Sequence, residues 1–209
     1  MKRAHPSRGF TLIEVLVTVT VAILLLGTAV WSMGDFLPGY RTNAAAQRFA
    51  LDARNAGAVA ARANEPVHLV RIADAAGCTQ AYRMVQGADP AAPTRVHETV
   101  CLSREYPGVG MDAAGIAAPV RCADDLPASA VDTCSFCAPG SRLTFYPTGE
   151  VVAVSSAGGV QAGGHSVVFS PKRGADRQRE ALAVAVRSGT GRARIYRYEP
   201  AAALKWECK

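Results

Sequence analysis

The sequence predicts an α+β protein in which a long amino-terminal helix packs on an antiparallel β-sheet head. Residues 10–33 form an almost uninterrupted apolar run. Residues 41–64 are rich in alanine, with apolar side chains three and four positions apart, as in an amphipathic helix. Beyond Pro66, short alternating segments are separated by turns rich in glycine and proline, which is typical of strands. The helix is therefore expected to have a membrane-spanning half and an amphipathic half.

The apolar run is long enough to cross a bilayer. As a helix, residues 10–33 would measure roughly 36 Å, against about 30 Å for a hydrocarbon core. The preceding cations, Lys2, Arg3 and Arg8, predict that the amino terminus stays in the cytoplasm and that the remainder is exported. A cleaved secretory signal peptide is the alternative, because the small residues 27–29 form a weak version of its cleavage site.

The apolar run begins within the hexapeptide Gly-Phe-Thr-Leu-Ile-Glu at residues 9–14. With its short basic leader, this motif resembles the class III signal of type IV pilins and pseudopilins. The resemblance implies cleavage by prepilin peptidase between Gly9 and Phe10, methylation of Phe10, and a role for Glu14 in filament assembly with other pilin subunits. The new α-amine would have a pKa of about 7.7 to 8.0, and Glu14 offers a carboxylate to neutralise its charge. An ordinary single-pass anchor is the alternative.

The same resemblance divides the chain into four parts. Residues 1–9 are the leader, 10–33 the transmembrane or filament-core helix, 34–65 its amphipathic continuation and 66–209 the exported head. We expect a single-pass protein of the inner membrane with a periplasmic head, which enters a pilus or pseudopilus filament after assembly. The proline and glycine of residues 37–39 should kink or fray the helix.

The head is predicted to be rich in strands. Residues from about 101 to 140 carry glycine, proline and cysteine without periodicity, so we expect an insertion held by disulfides there. The last two strands should form a terminal hairpin around residues 188–191. The predicted strands are 67–72, 81–85, 95–102, 143–146, 151–155, 166–170, 180–187 and 192–198.

Six cysteines lie beyond the apolar run, and an even number in an exported domain favours disulfides. Fifteen pairings are possible and stay open. The Cys-x-x-Cys pair at residues 134 and 137 has two alternatives, half of a zinc site or a redox motif, but neither a matching histidine pair nor a βαβ context accompanies it. We therefore expect no metal and no cofactor. The cysteines are Cys78, Cys101, Cys122, Cys134, Cys137 and Cys208.

The sequence carries no recognisable catalytic motif. It lacks a Gly-x-Ser-x-Gly elbow, a P-loop and a His-Glu-x-x-His pair, and its four histidines are scattered. We expect a structural or binding protein and not an enzyme.

Charge is distributed unevenly along the head. Residues 66–170 carry six arginines and nine acidic residues, whereas residues 171–209 carry ten basic and four acidic residues. This excess predicts an anionic partner for the carboxy-terminal segment. With a two-residue period, Arg192 and Arg194 share a strand face with Tyr196, which would be available to stack on a base. Further cations precede them in a loop, where a solvated turn is the alternative: Lys172, Arg173, Arg177 and Arg179.

A second resemblance covers most of the head. The strand that follows the helix at residues 67–69, the Leu-Thr-Phe-Tyr-Pro-Thr-Gly hairpin at 143–149 and Gly-Arg-Ala-Arg at 191–194 follow the order found in the GspH/FimT family of minor pilins and pseudopilins. The cysteine-bearing stretch 101–137 departs from a minimal member of that family.

This family resemblance implies a function. In the transformation-pilus branch a carboxy-terminal Gly-Arg-x-Arg motif binds DNA, and Gly191, Arg192 and Arg194 match it. The expected protein is then a FimT-like minor type IV pilin that binds double-stranded DNA without sequence preference for natural transformation. The alternative is a GspH-like minor pseudopilin of a type II secretion system, with a structural role near the filament tip.

The first prediction concerns the junction of Gly9 and Phe10. Intact-mass measurement of membrane-extracted protein should show a chain that has lost nine residues and begins at methylated Phe10. The variant Glu14→Ala should be cleaved normally but enter filaments poorly. A mature chain that begins at Met1 or near Trp31 would contradict the prediction.

Overall fold

The computed structural model confirms the α+β arrangement, with an amino-terminal helix followed by antiparallel sheets. The chain forms two compact units, Met1–Leu37 and Pro38–Lys209. The described residues are 10–72, 77–112, 134, 136–161, 165–172, 179–188, 190–199 and 206–208.

Helix α1 spans Leu12–Ala63 and includes Pro38. The helix does not fray at residues 37–39, although a proline removes one backbone hydrogen bond. It ends where Asn64 adopts a φ of 53°, the left-handed conformation that terminates many helices. Pro66, two residues later, lacks the N–H group needed to continue the ladder.

The first unit exposes apolar side chains along its helix. Phe10 and the large apolar residues from Leu12 to Leu26 are between 49% and 84% exposed. No helix formed by the described residues is long and apolar enough to cross a membrane, so the structure does not confirm the single-pass span predicted for residues 10–33.

The second unit contains two antiparallel sheets. The first has the strand order β3-β2-β1-β5-β6-β7 and the second has the order β11-β10-β9-β8-β4. A short helix, α2, lies between β3 and β4 at Leu102–Glu105. The strands are β1 Val67–Ile72, β2 Ala81–Gln86, β3 Arg95–Cys101, β4 Val109–Met111, β5 Arg142–Phe145, β6 Val151–Val154, β7 Val160–Gln161, β8 His165–Pro171, β9 Leu182–Val186, β10 Ala193–Tyr198 and β11 Trp206–Cys208.

The eight predicted strands are present, with ends that differ by at most two residues. The terminal hairpin is also confirmed, since β9 pairs with β10. The elements that the sequence did not predict are α2, β4, β7 and β11, each of two to four residues. Such short elements show no complete period, and β4 lies within the predicted insertion.

The second half of α1 forms the centre of the core. Its buried face consists of small alanines around one large side chain, Phe49, which is fully buried. The Phe49 ring lies 5.2 Å from that of Tyr82, 5.4 Å from Phe136 and 5.6 Å from Phe169, measured between centroids. These rings come from β2, the segment before β5, and β8, so one helical side chain joins both sheets.

Polar contacts also attach the helix to the sheets. The Tyr82 hydroxyl donates to Asp52 Oδ2 at 2.6 Å, and Arg48 Nε donates to the same oxygen at 3.1 Å. Arg48 also pairs with Glu98 of β3. Burial raises the pKa of Tyr82 and the charge of Asp52 raises it further, so the hydroxyl keeps its proton. Arg48 therefore links the helix both to its own Asp52 and to β3.

Two of the predicted disulfides lie among the described residues. Cys78 is bonded to Cys101, and Cys134 is bonded to Cys137. The second bond leaves neither thiolate of the Cys-x-x-Cys pair for zinc. Cys122 and the side chain of Cys208 lie outside the described residues, so a third disulfide stays a prediction.

A buried histidine connects the two sheets. His165 begins β8, and its Nε2 accepts from the Ala153 N–H at 3.2 Å and lies 3.1 Å from the Val151 carbonyl oxygen. If both ring nitrogens of His165 carried a proton, the Nε2–H would point at the Ala153 N–H, and two donors would face each other. Burial lowers the pKa of His165, and the contact with Val151 opposes this only in part. Burial also lowers the pKa of His68, which lies between Thr144 and the Gly87 carbonyl.

The second prediction concerns stability in acid. Because both folded-state pKa values lie below the unfolded value of about 6.5, the unfolded chain takes up protons first as the pH falls. The free energy of unfolding should decrease below pH 6.5 by up to about 1.4 kcal/mol per pH unit for each histidine, until the folded-state pKa is passed. Measured by urea unfolding, the free energy of unfolding should differ less between pH 7.5 and pH 5 for His165→Gln than for wild type. An equal difference in the two proteins would contradict the assignment of a lowered pKa to His165.

Candidate functional site

The amino terminus of α1 is capped by a reciprocal pair of hydrogen bonds between Thr11 and Glu14. The Glu14 N–H donates to Thr11 Oγ1 at 3.3 Å, and the Thr11 N–H donates to Glu14 Oε2 at 3.4 Å. This arrangement is a capping box, which satisfies two of the N–H groups that a helix start leaves without partners. Glu14, for which the sequence predicts a role in filament assembly, therefore also caps the helix.

The capping box places the Glu14 carboxylate beside the chain end that cleavage would create. Phe10 immediately precedes Thr11 and is 80% exposed, whereas Gly9 lies outside the described residues. An α-amine at Phe10 would thus lie next to the Thr11 N–H, from which the Glu14 carboxylate already accepts a hydrogen bond. The same carboxylate is suited to neutralising a terminal amine, either of its own chain or of a neighbouring subunit.

The Gly-Arg-x-Arg segment at residues 191–194 ends the turn between β9 and β10 and begins β10. The turn that carries Arg192 and Arg194 is here called the arginine turn. The Arg187 N–H donates to the Arg192 carbonyl at 3.0 Å, and the Gly191 N–H donates to the Arg187 carbonyl at 3.0 Å. Gly191 and Arg192 thus lie opposite the single residue Arg187. Gly191 has a φ of 61°, as in a glycine bulge. The bulge lets the chain enter β10 with Arg192 and Arg194 both exposed.

This turn borders a cleft of about 450 Å³, here called the arginine cleft. Its three walls are residues 54–58 of α1, residues 145–150 at the turn between β5 and β6, and residues 190–194. The second wall is a tight turn in which the Gly149 N–H donates to the Tyr146 carbonyl at 2.9 Å. The fold thus brings two hairpin turns and one turn of the helix together.

Arg54 lines the arginine cleft but is not among the residues predicted from the sequence. Its Nη2 donates to the Ala193 carbonyl oxygen at 2.9 Å, and Ala193 lies between Arg192 and Arg194. Three arginines therefore border one cleft, and Glu150 is an acidic member of its lining. Nothing in the sequence distinguishes Arg54 from the other arginines of the helix, because only the packing of α1 on the sheets brings it to β10.

Phe145 and Tyr146 are the aromatic residues that line the cleft, and Tyr196 is not among its lining residues. Tyr196 is only 2% exposed, so the prediction that it is available for stacking is wrong. Arg194 and Tyr196 lie on the same face of β10, which is exposed at Arg194 and covered at Tyr196. Strand β10 itself lies between β9 and β11. Burial raises the pKa of Tyr196, as expected of a covered hydroxyl. Tyr146 is 38% exposed and lines the cleft.

The other predicted cations lie elsewhere. His165 pairs with Val186, which in turn pairs with Ala193, so this end of β8 is the end nearest the arginine turn. Lys172 follows the opposite end of β8, about 23 Å away at about 3.3 Å per residue. Arg179 precedes β9 at that same distant end. Arg173 and Arg177 lie outside the described residues. Lys172 and Arg179 therefore do not join Arg192 and Arg194 in one patch.

No group of histidine, cysteine or acidic side chains among the described residues is arranged to hold a metal ion. The charged side chains of the arginine cleft are suited instead to holding an anion by charge-assisted hydrogen bonds.

Comparison with known proteins supports the amino-terminal assignment. Residues 5–30 match the family model described as the prokaryotic N-terminal methylation motif. Neither the curated proteins nor the solved structures include a significant match to the chain. The motif supports a type IV pilin-like or pseudopilin-like protein that is processed by prepilin peptidase and assembles with other pilin subunits.

Proposed function

We propose that this chain is a FimT-like minor type IV pilin that binds double-stranded DNA without sequence preference, for uptake in natural transformation. The observation that carries the proposal is the position of Arg192 and Arg194 at the edge of a cleft that Arg54 also lines. Guanidinium groups suit this role because they pair with phosphate oxygens through several N–H donors at once.

The chemistry of the arginine cleft favours the DNA backbone over base edges. Its donors are one arginine of helix α1 and two arginines at the turn between β9 and β10, and contacts of arginine with phosphate carry no sequence information. Tyr146 adds a partly exposed ring that can pack on a sugar or a base. Affinity should therefore depend strongly on salt and weakly on sequence.

Assembly into a filament is supported by the amino-terminal helix. Its apolar side chains are exposed over many turns, and exposed apolar surface of this extent marks an interaction surface. Glu14 caps the helix beside the predicted cleavage point. We propose that the mature chain is held in the inner membrane by residues 10–33 with its head in the periplasm, and that it then enters the pilus.

A GspH-like minor pseudopilin of a type II secretion system is the second candidate. The observation that favours it is Glu150, an acidic residue of the cleft lining that lowers the net positive charge of the site. In a purely structural subunit the arginine turn would contact neighbouring subunits instead of DNA. The apolar helix and the capping box would have the same role in both candidates.

The third prediction separates these candidates. If about three to five cations contact phosphates, the slope of log K against log salt for wild type and double-stranded DNA should be near −3 to −5. The variant Arg192→Ala/Arg194→Ala should reduce its magnitude by roughly two, because two phosphate contacts are lost. Gel-shift titrations of the full-length protein in detergent at several salt concentrations measure both slopes.

The matched control is Lys172→Ala/Arg179→Ala, which removes two charges at the distant end of the second sheet. It should change the slope less than the variant of the arginine turn does. Absence of binding by wild type at low salt, or equal slopes for wild type and Arg192→Ala/Arg194→Ala, would favour the secretion pseudopilin.

A further inference from the structure

We propose that the arginine cleft is a subsite for a short stretch of the backbone of one DNA strand, in which Arg54 of the helix is the third cation that contacts phosphate and Glu150 limits the affinity. The inference rests on the proposed binding of DNA and deepens it, because it assigns the phosphate to a concave site instead of an exposed loop. Neither Arg54 nor Glu150 belongs to the Gly-Arg-x-Arg motif.

The contact of Arg54 with Ala193 fixes the third cation. Backbone groups of successive strand residues point to alternate sides, and the Arg192 carbonyl points toward β9, where it accepts from Arg187. The Ala193 carbonyl therefore points away from β9. Strand β11 pairs only with residues 196–198 and does not reach Ala193. Arg54 takes the place of a neighbouring strand by donating to this carbonyl at 2.9 Å.

The helix holds Arg54 in position before any ligand arrives. Its neighbour Ala53 and the nearby Ala56 are fully buried in the core. The bond to Ala193 uses one N–H of a guanidinium group that has five. A cation anchored in this way loses little conformational entropy on binding, which favours an ordered site over a flexible loop.

The size of the arginine cleft limits which part of the polymer it can hold. A volume of about 450 Å³ is within the range of small-ligand pockets and is far too small for a duplex. A short stretch of the backbone of one strand is therefore the part of the polymer that fits.

Glu150 gives the subsite a feature that a simple basic patch lacks. It follows Gly149 and lines the same cleft as Arg192 and Arg194. Its carboxylate attracts the same guanidinium groups that would bind phosphate and repels the phosphate itself. Removing this charge should strengthen binding, whereas a patch that binds elsewhere would not respond.

The fourth prediction tests the subsite with the full-length protein in detergent micelles and a labelled duplex of arbitrary sequence. Arg54→Gln should weaken binding about three- to tenfold and reduce the magnitude of the salt slope by about one. Arg54→Lys should retain the slope, because it keeps the charge, while losing part of the affinity. Glu150→Gln should strengthen binding about two- to fivefold.

Arg62→Gln is the matched control, because it removes one exposed charge from the last turn of the same helix, outside the cleft. It should bind like wild type. If Arg54→Gln and Arg54→Lys lose affinity equally with no change of slope, Arg54 only supports the fold and the inference is wrong. If Arg54→Gln and Glu150→Gln bind like wild type while Arg192→Ala/Arg194→Ala does not, the subsite is wrong but DNA binding stands. If wild type fails to bind, the proposed function is wrong as well.

Discussion

The packing of the second half of α1 against both sheets is the constraint on which the second unit depends. Phe49 makes ring contacts with β2 of the first sheet, β8 of the second sheet and the disulfide-bonded segment that carries Phe136. The alanines around it let the helix backbone approach closely, and burying a side chain of this size stabilises the fold by about 1.5 to 3 kcal/mol. The buried bond between Tyr82 and Asp52 adds a directional contact, so the rotation of the helix about its axis is fixed.

That fixed rotation determines the chemistry of the arginine cleft. With Phe49, Ala53 and Ala56 turned into the core, Arg54 is directed to the edge of β10, where it holds the Ala193 carbonyl. The Gly-Arg-x-Arg turn thereby gains a third cation from an element more than a hundred residues away in sequence. The amino-terminal end of the same helix carries the capping box and the exposed apolar side chains, to which the proposed function assigns filament assembly.

Much of the architecture follows from local sequence patterns. The strands at β1, β2 and β9 are predicted because apolar residues there recur with a strand period and glycine or proline flanks them. The methylation motif is recognisable because its residues are contiguous. The short strands β4, β7 and β11 are not predicted, because two or three residues cannot show a period and their pairing depends on longer strands nearby.

The candidate site was harder to predict, for two physical reasons. Strand alternation tells which side chains share a face but not which part of that face is covered, so Arg194 is exposed while Tyr196 is buried. Proximity in sequence also says little about proximity across a sheet. Lys172 precedes the arginine turn by only twenty residues, yet the antiparallel order of β8 and β9 places it at the far end.

The most direct test of this account is hydrogen exchange of the full-length protein with and without double-stranded DNA, read by mass spectrometry. DNA held in the arginine cleft should slow exchange in the two turns that border it, residues 146–150 and 187–194. Exchange near Lys172, at the other end of β8, should stay unchanged. Protection confined to the Lys172 end, or no protection at saturating DNA, would contradict the account.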